Sequence, residues 1–190
     1  VEQFKKIQND SNNKIQYLDV AIDHFNNASI IKPSDANTYT TLAKCYLDKG
    51  DKNAAKEAVI LAVEKNPESF EANFSAGQIL GRTGLSSKEV LPYYKKAVEL
   101  EPSNSKVLRE LAGAYYDIGE KEESITIFKN AITNEEDKII KADLYFNLGV
   151  IYSQMCDYEE SEEAFDEAFF LNEEDFEAAL GMARSYEGLG

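Results

Sequence analysis

The side chains that could do chemistry are few and scattered. His24 is the sole histidine, and it falls on a helical stretch with no serine or cysteine placed to meet it. General acid–base or nucleophilic catalysis needs such a partner within hydrogen-bond reach. The sequence therefore predicts a chain that is not an enzyme and has no catalytic residues, with His24 as a solvated helix residue.

Two acidic runs could in principle bind divalent metal. They are TNEEDK at residues 133–138 and EESEEAFDEAFF at residues 159–170. Neither run has the His/Cys spacing of a zinc site or the glycine-centred loop of a calcium site. Phe165 and Phe169 are four apart and indicate a buried helix face, with the glutamates on a solvated outer face. No glycine-rich phosphate-binding motif occurs either, so we expect no metal and no cofactor.

The strongest signal is a repeat that runs along the chain. The pairs Leu42-Ala43, Ala76-Gly77, Leu111-Ala112, Leu148-Gly149 and Met182-Ala183 follow one another in steps of 34, 35, 37 and 34 residues. A second register contains Tyr46, Leu80, Tyr115, Tyr152 and Tyr186, and a third contains Ala28, Ala62, Ala97, Ala131 and Ala168. Three registers that stay in phase over five copies indicate a repeat architecture.

A small pair, an aromatic residue one turn later, Ala-x3-aromatic and a closing proline form the pattern of one helix-turn-helix unit. By these residues the chain resembles the tetratricopeptide repeat (TPR) family over nearly its whole length. The resemblance implies an all-α fold, a right-handed superhelical solenoid of antiparallel helix pairs. We expect a degenerate or partial repeat at 1–35, repeats at 36–69, 70–104, 105–141 (with a longer connection) and 142–175, and the first helix of a further repeat at 176–190.

Local signals refine this arrangement. Gly50 can take the left-handed conformation that ends a helix, and Asn66-Pro67 stops the next one. Ser86 and Glu89 have the spacing of a capping box, and Cys156 stands where the turn glycine belongs. The Asn- and Asp-rich run at 9–13 predicts a loop before a helix that ends at Ile31.

In the TPR family the first helices line a concave face that binds peptides, and the resemblance implies the same face here. Position by position, its innermost set is Thr40, Lys44, Leu47, Phe74, Gln78, Gly81, Arg109, Gly113, Tyr116, Phe146, Val150, Ser153, Leu180, Arg184 and Glu187. The expected peptide-binding residues are Lys44, Phe74, Gln78, Arg82, Lys106, Arg109, Tyr116, Phe146, Asn147, Val150 and Arg184. The innermost set has three cations and one carboxylate, whereas the chain as a whole has more carboxylates than cations. Such a surface suits a peptide with carboxylates and apolar side chains.

The net charge of -15 disfavours nucleic acid and anionic membrane surfaces as partners. No apolar run approaches the roughly 18 residues of a membrane-spanning helix. The expected partner is therefore a protein or peptide.

Cys45 and Cys156 lie three repeats apart, too far for a disulfide between helices spaced roughly 8–10 Å. Two unpaired thiols slightly favour a reducing compartment such as the cytoplasm.

The terminal segment 176–190 carries apolar residues on a face that only one neighbour covers. Two explanations stay open: the native chain continues beyond Gly190, or another chain covers this face, including a second copy through self-association. The predicted function is a non-catalytic scaffold that binds a partner segment. The alternative is the regulatory or substrate-docking region of a larger enzyme, such as a glycosyltransferase or kinase.

Overall fold

The fold, taken from a computed structural model, is helical throughout the part of the chain that the structure describes. That part comprises the backbone of residues 2–190 and the side chains of residues 14–190. The helices are α1 (Glu2–Ile31), α2 (Ala36–Lys49), α3 (Lys52–Lys65), α4 (Phe70–Thr83), α5 (Ser87–Leu100), α6 (Ser105–Asp117), α7 (Lys121–Asn134), α8 (Lys138–Met155), α9 (Tyr158–Leu171) and α10 (Phe176–Leu189). They form two compact units, Val1–Leu100 and Glu101–Gly190.

In the first unit, α2 pairs with α3 and α4 pairs with α5. The turn between α2 and α3 forms because Gly50 takes a left-handed conformation, with φ 91°. The Asp51 carboxylate then accepts a hydrogen bond from the Ala54 amide, at 3.0 Å, and caps α3. Helix α1 packs on α2, and α4 packs on both α2 and α3. The predicted all-α fold of antiparallel helix pairs is confirmed.

In the second unit, α6 pairs with α7, α8 pairs with α9, and α10 packs on both α9 and α8. Buried serines tie these helices together. The Ser124 hydroxyl donates to the Ala112 carbonyl at 2.7 Å, and the Ser161 hydroxyl lies 3.0 Å from the Gly149 carbonyl and 2.9 Å from the Ser185 hydroxyl. Each bond joins a second helix to a first helix, so a polar side chain is buried without losing its hydrogen bond.

The core consists largely of small residues, which let the helices approach closely. Four of the five alanines of the third register are fully buried: Ala62, Ala97, Ala131 and Ala168. The fifth, Ala28, is half-buried. The repeat read from the sequence is therefore the repeat of the core.

One local expectation was wrong and a second was only half met. Residues 9–13 belong to α1 and do not form a loop, because Asn, Asp and Ser cost a helix only tenths of a kcal/mol each and neither Gly nor Pro interrupts the run. The capping box at Ser86 is only half formed. Both the Ser86 amide and its hydroxyl donate to Glu89, at 2.9 and 2.7 Å, and these bonds lower the pKa of Glu89. The hydroxyl is thus a donor and does not cap the Glu89 amide.

The longer connection expected for the repeat at 105–141 is an extended helix, because α8 begins at Lys138 and has 18 residues, whereas its neighbours have 13 or 14. Asp137 caps its start by accepting hydrogen bonds from the amides of Ile139 and Ile140.

The end of α8 provides a test of backbone strain. Cys156 is the only described non-glycine residue with a positive φ, 63°, so it occupies the left-handed turn position predicted from the sequence. A side chain in this left-handed conformation destabilises the fold by about 1–2 kcal/mol relative to glycine. The greater conformational entropy of glycine in the unfolded chain offsets part of this difference. Cys156→Gly should therefore raise the free energy of unfolding by about 0.5–1 kcal/mol, measured by urea denaturation. Cys45→Gly, inside α2, should instead lower it. A stability loss in both variants would contradict the strain at Cys156.

Candidate peptide-binding face

In the first unit, the expected binding residues lie on α2 and α4, which pack against each other. Lys44, Gln78 and Arg82 line one open hollow of about 220 Å³, together with Leu47, Asp48 and Ile79. Lys44 and Arg82 are exposed, and neither forms an ion pair with another described residue. The hollow therefore has two available cations and one carboxylate.

Phe74 lies on α4 and is half-buried. Its ring stacks on Phe70, with centroids 5.6 Å apart, and meets Tyr94 at 6.4 Å. These contacts fix the ring in one orientation, and its accessible part offers a rigid apolar surface.

Thr40 does not belong to the accessible surface, although the sequence placed it in the innermost set. It is buried, and its hydroxyl donates to the Ala36 carbonyl of its own helix at 2.9 Å. Asp48, by contrast, was not expected in the hollow. Its position four residues after Lys44 places it on the same helix face, and this spacing was the signal that could have found it.

In the second unit, the expected residues are divided among the three first helices. Lys106, Arg109 and Tyr116 lie on α6, Phe146, Asn147 and Val150 lie on α8, and Arg184 lies on α10. Lys106 and Arg184 are exposed and the others are half-buried.

Contacts with neighbours restrict some of these side chains. Arg109 lies 3.7 Å from the carboxylate of Glu110, and the Asn147 amide donates to the Asp143 carbonyl at 2.6 Å. The Tyr116 hydroxyl donates to the side chain of Gln154, which links α6 to α8. Phe146 meets the buried ring of Phe165 edge-on, with centroids 5.5 Å apart.

Lys106 and Arg184 have no ion-pair partner among the described residues. A carboxylate of a ligand could pair with these cations without first breaking an internal ion pair. Lys106 and Arg184 in the second unit, like Lys44 and Arg82 in the first, are thus available to pair with a carboxylate.

No group of three or more His, Cys, Asp or Glu side chains is placed to hold a metal ion within residues 14–190. Across the described helices, none combines the length and the apolar character that a membrane crossing requires. Cys45 and Cys156 are both free thiols, and burial raises the pKa of Cys45.

Comparison with known proteins agrees with this architecture. Two tetratricopeptide repeat family models match residues 40–104 and 142–175. The type IV pilus assembly protein PilF of Pseudomonas aeruginosa is 26% identical over 149 residues, which cover 77% of this chain and 58% of PilF. The chain thus spans less than two thirds of the length of this relative.

Solved structures show the same fold. MamA superposes with a TM-score of 0.75 at 23% identity, covering 83% of this chain and 84% of MamA. YrrB, described as a TPR protein with an unusual peptide-binding site, has a TM-score of 0.75 at 21% identity, covering 89% of this chain and 85% of YrrB. With the repeat confirmed in the core and two family models matched, the chain belongs to the tetratricopeptide repeat family.

Proposed function

We propose that this chain is a non-catalytic scaffold whose first helices bind an acidic, partly apolar peptide segment of a partner protein. The observation that carries the proposal is the hollow between α2 and α4, where Lys44 and Arg82 are exposed without an internal ion pair. An Asp or Glu side chain of the peptide would enter this hollow, because arginine can pair with a carboxylate through two parallel hydrogen bonds.

In the second unit, Lys106 and Arg184 would meet further carboxylates, and Val150 would contact apolar side chains. Phe74 and Phe146 are each braced by a second aromatic ring. A ring held in this way loses little conformational entropy when it binds, so it contributes more of its contact energy to affinity.

The relatives support a role of this kind. YrrB is described as having a peptide-binding site, and PilF is named as an assembly protein. A scaffold that holds a partner segment would fit both descriptions. The partner itself would be recognised by its carboxylates.

Peptides selected from a random library on the immobilised protein test the proposal. We expect the enriched peptides to contain Asp or Glu. Lys44→Glu combined with Arg82→Glu should weaken their binding about tenfold or more, since each hydrogen bond to a charged group contributes about 1.5–3 kcal/mol. Fluorescence anisotropy with a labelled enriched peptide measures this loss.

A matched control separates the hollow from the net charge. Lys52→Glu combined with Lys56→Glu changes the charge of the same unit equally, but both residues are exposed on the second helix α3. This variant should bind within about twofold of the unmodified protein, as expected for charges outside the interface. Enrichment of neutral or basic peptides, or an equal loss in both variants, would contradict the proposal.

Two other readings remain proposals. A docking region of a larger enzyme would use the same face, and the partner segment would then be its substrate. Self-association through α10 has a structural basis in Tyr186, which is 60% exposed, whereas Tyr152 at the same repeat position is 8% exposed. Self-association through α10 does not account for the unpaired cations at Lys44 and Arg82, whereas an acidic peptide does.

A further inference from the structure

The second unit contains a groove on its second helices. It lies between α7 and α9, with α8 as its floor, and has a volume of about 510 Å³. We call it the α7–α9 groove and define it by Lys129, Tyr145, Tyr152, Glu160, Glu163 and Glu167. The residues that α8 contributes to the proposed peptide-binding face are different ones, namely Phe146, Asn147 and Val150.

One wall of the groove is anionic. Glu160, Glu163 and Glu167 follow one another at three- and four-residue spacing and so share one face of α9. None of the three forms an ion pair with another described residue. The only cation among the lining residues is Lys129, which leaves the groove with an excess of two negative charges.

The floor is aromatic and has an unused hydrogen-bonding group. Tyr152 is 8% exposed, yet its hydroxyl has no hydrogen-bond partner in the described part of the chain. No buried side-chain oxygen or nitrogen in that part lacks a partner. The Tyr152 hydroxyl is therefore accessible to solvent, and the residue lines the groove.

A cation already rests on this floor. The Lys129 ammonium lies 5.6 Å from the centroid of the Tyr152 ring, a distance at which the negative face of the ring attracts it. Burial, with a smaller contribution from the Glu167 carboxylate, raises the pKa of Tyr145, the second tyrosine of the floor. The groove thus shows, with an internal side chain, the contact that an external cation would make.

We propose that the α7–α9 groove binds an arginine side chain of a basic peptide segment. The planar guanidinium would stack on the Tyr152 ring in place of the Lys129 ammonium and pair with the α9 glutamates. Arginine suits this site better than lysine because its guanidinium is weakly hydrated, stacks on rings and binds carboxylates through two bonds. The chain would then have two docking surfaces of opposite preference, one for acidic and one for basic segments.

Titration of the full chain with the peptide acetyl-Arg-Arg-Arg-amide, followed by amide NMR spectra, tests this proposal. We expect shift changes concentrated on α7, α8 and α9, and much weaker binding of the peptide in which uncharged citrulline replaces arginine. Glu160→Gln, Glu163→Gln and Glu167→Gln together should weaken binding about tenfold or more, because charge-assisted hydrogen bonds are lost.

The control removes three exposed glutamates elsewhere in the same unit, with Glu136→Gln, Glu173→Gln and Glu174→Gln. Binding should then change by less than about twofold, as for screened surface charges. Equal losses in the two triple variants, or shift changes spread over the whole acidic surface, would overturn the proposal. Circular dichroism melting of each variant shows that it is folded.

Lys129→Met gives an independent measurement with the opposite sign. Removing the resident cation frees the Tyr152 ring, so the arginine peptide should bind about two- to fivefold more tightly. Unchanged or weaker binding would overturn the proposed exchange. The Lys44→Glu and Arg82→Glu variant should leave this affinity unchanged, so the two surfaces are tested separately.

Discussion

Replacing Phe165 by alanine is expected to lower the free energy of unfolding by about 3–5 kcal/mol. Its side chain is 4% exposed, and its ring meets Phe146 edge-on. It also fills the space above two glycines, since a methyl group added at Gly149 or Gly181 would come within 3.0 or 2.7 Å of the ring. Three first-helix positions thus pack on one side chain, and alanine would leave a cavity that the helices cannot close.

Phe170→Ala is the matched control, because it makes the same chemical change on the same helix at a ring that is 76% exposed. It should change the free energy of unfolding by less than about 0.5 kcal/mol, as expected for a surface site. Urea denaturation monitored by circular dichroism measures both variants. Similar losses in the two would mean that the structure assigns the wrong phenylalanine to the core.

Phe165 also shows what the sequence could predict. Its four-residue spacing from Phe169 indicated a buried helix face, and Phe165 is buried. The neighbouring Phe169, four residues on, was expected in the core as well but is half-buried. A periodic pattern fixes the direction of a side chain from the helix axis. It does not tell how far the neighbouring helices extend to cover that side chain.

The candidate site was less predictable than the core. The family pattern predicts which side chains lie on the first helices. It does not predict their hydrogen-bond and ion-pair partners, because these come from residues on adjacent turns and helices. The Thr40 hydroxyl donates a hydrogen bond within its own helix, so Thr40 is not part of the accessible surface. Asp48, which was not expected, lines the hollow. The eleven expected binding residues stay a prediction, and the hollow at Lys44 and Arg82 is the place where it can be tested most directly.

The α7–α9 groove had no signal in the sequence. Tyr145 and Tyr152 occupy positions that the repeat assigns to the core, and the α9 glutamates look like a solvated outer face. Only the structure brings the two sets together around one cavity. A site assembled from core and surface positions of different helices has no fixed spacing along the chain, so periodicity alone could not reveal it.

A pair of glycine substitutions on α4 should have opposite effects on stability. A methyl group added at Gly77 would lie 2.4 Å from the Tyr94 ring, whereas one added at Gly81 would meet nothing within 4 Å. Tyr94 is buried, so its ring cannot move aside without displacing neighbours. Gly77→Ala should therefore lower the free energy of unfolding by about 1–3 kcal/mol through overpacking, despite the better helix propensity of alanine.

Gly81→Ala should raise the free energy of unfolding by about 0.5–1 kcal/mol, because it gains the helix propensity without a clash. The two variants should then differ by about 1.5–4 kcal/mol, by the sum of the two effects. Urea denaturation of both proteins under identical conditions measures this difference. If Gly77→Ala were stabilising as well, the Tyr94 ring would not pack directly on α4. The close approach of α4 and α5, which places Phe74 against Tyr94, would then be wrong. The sign of the Gly77 effect therefore tests the packing that orients Phe74 on the proposed peptide-binding face.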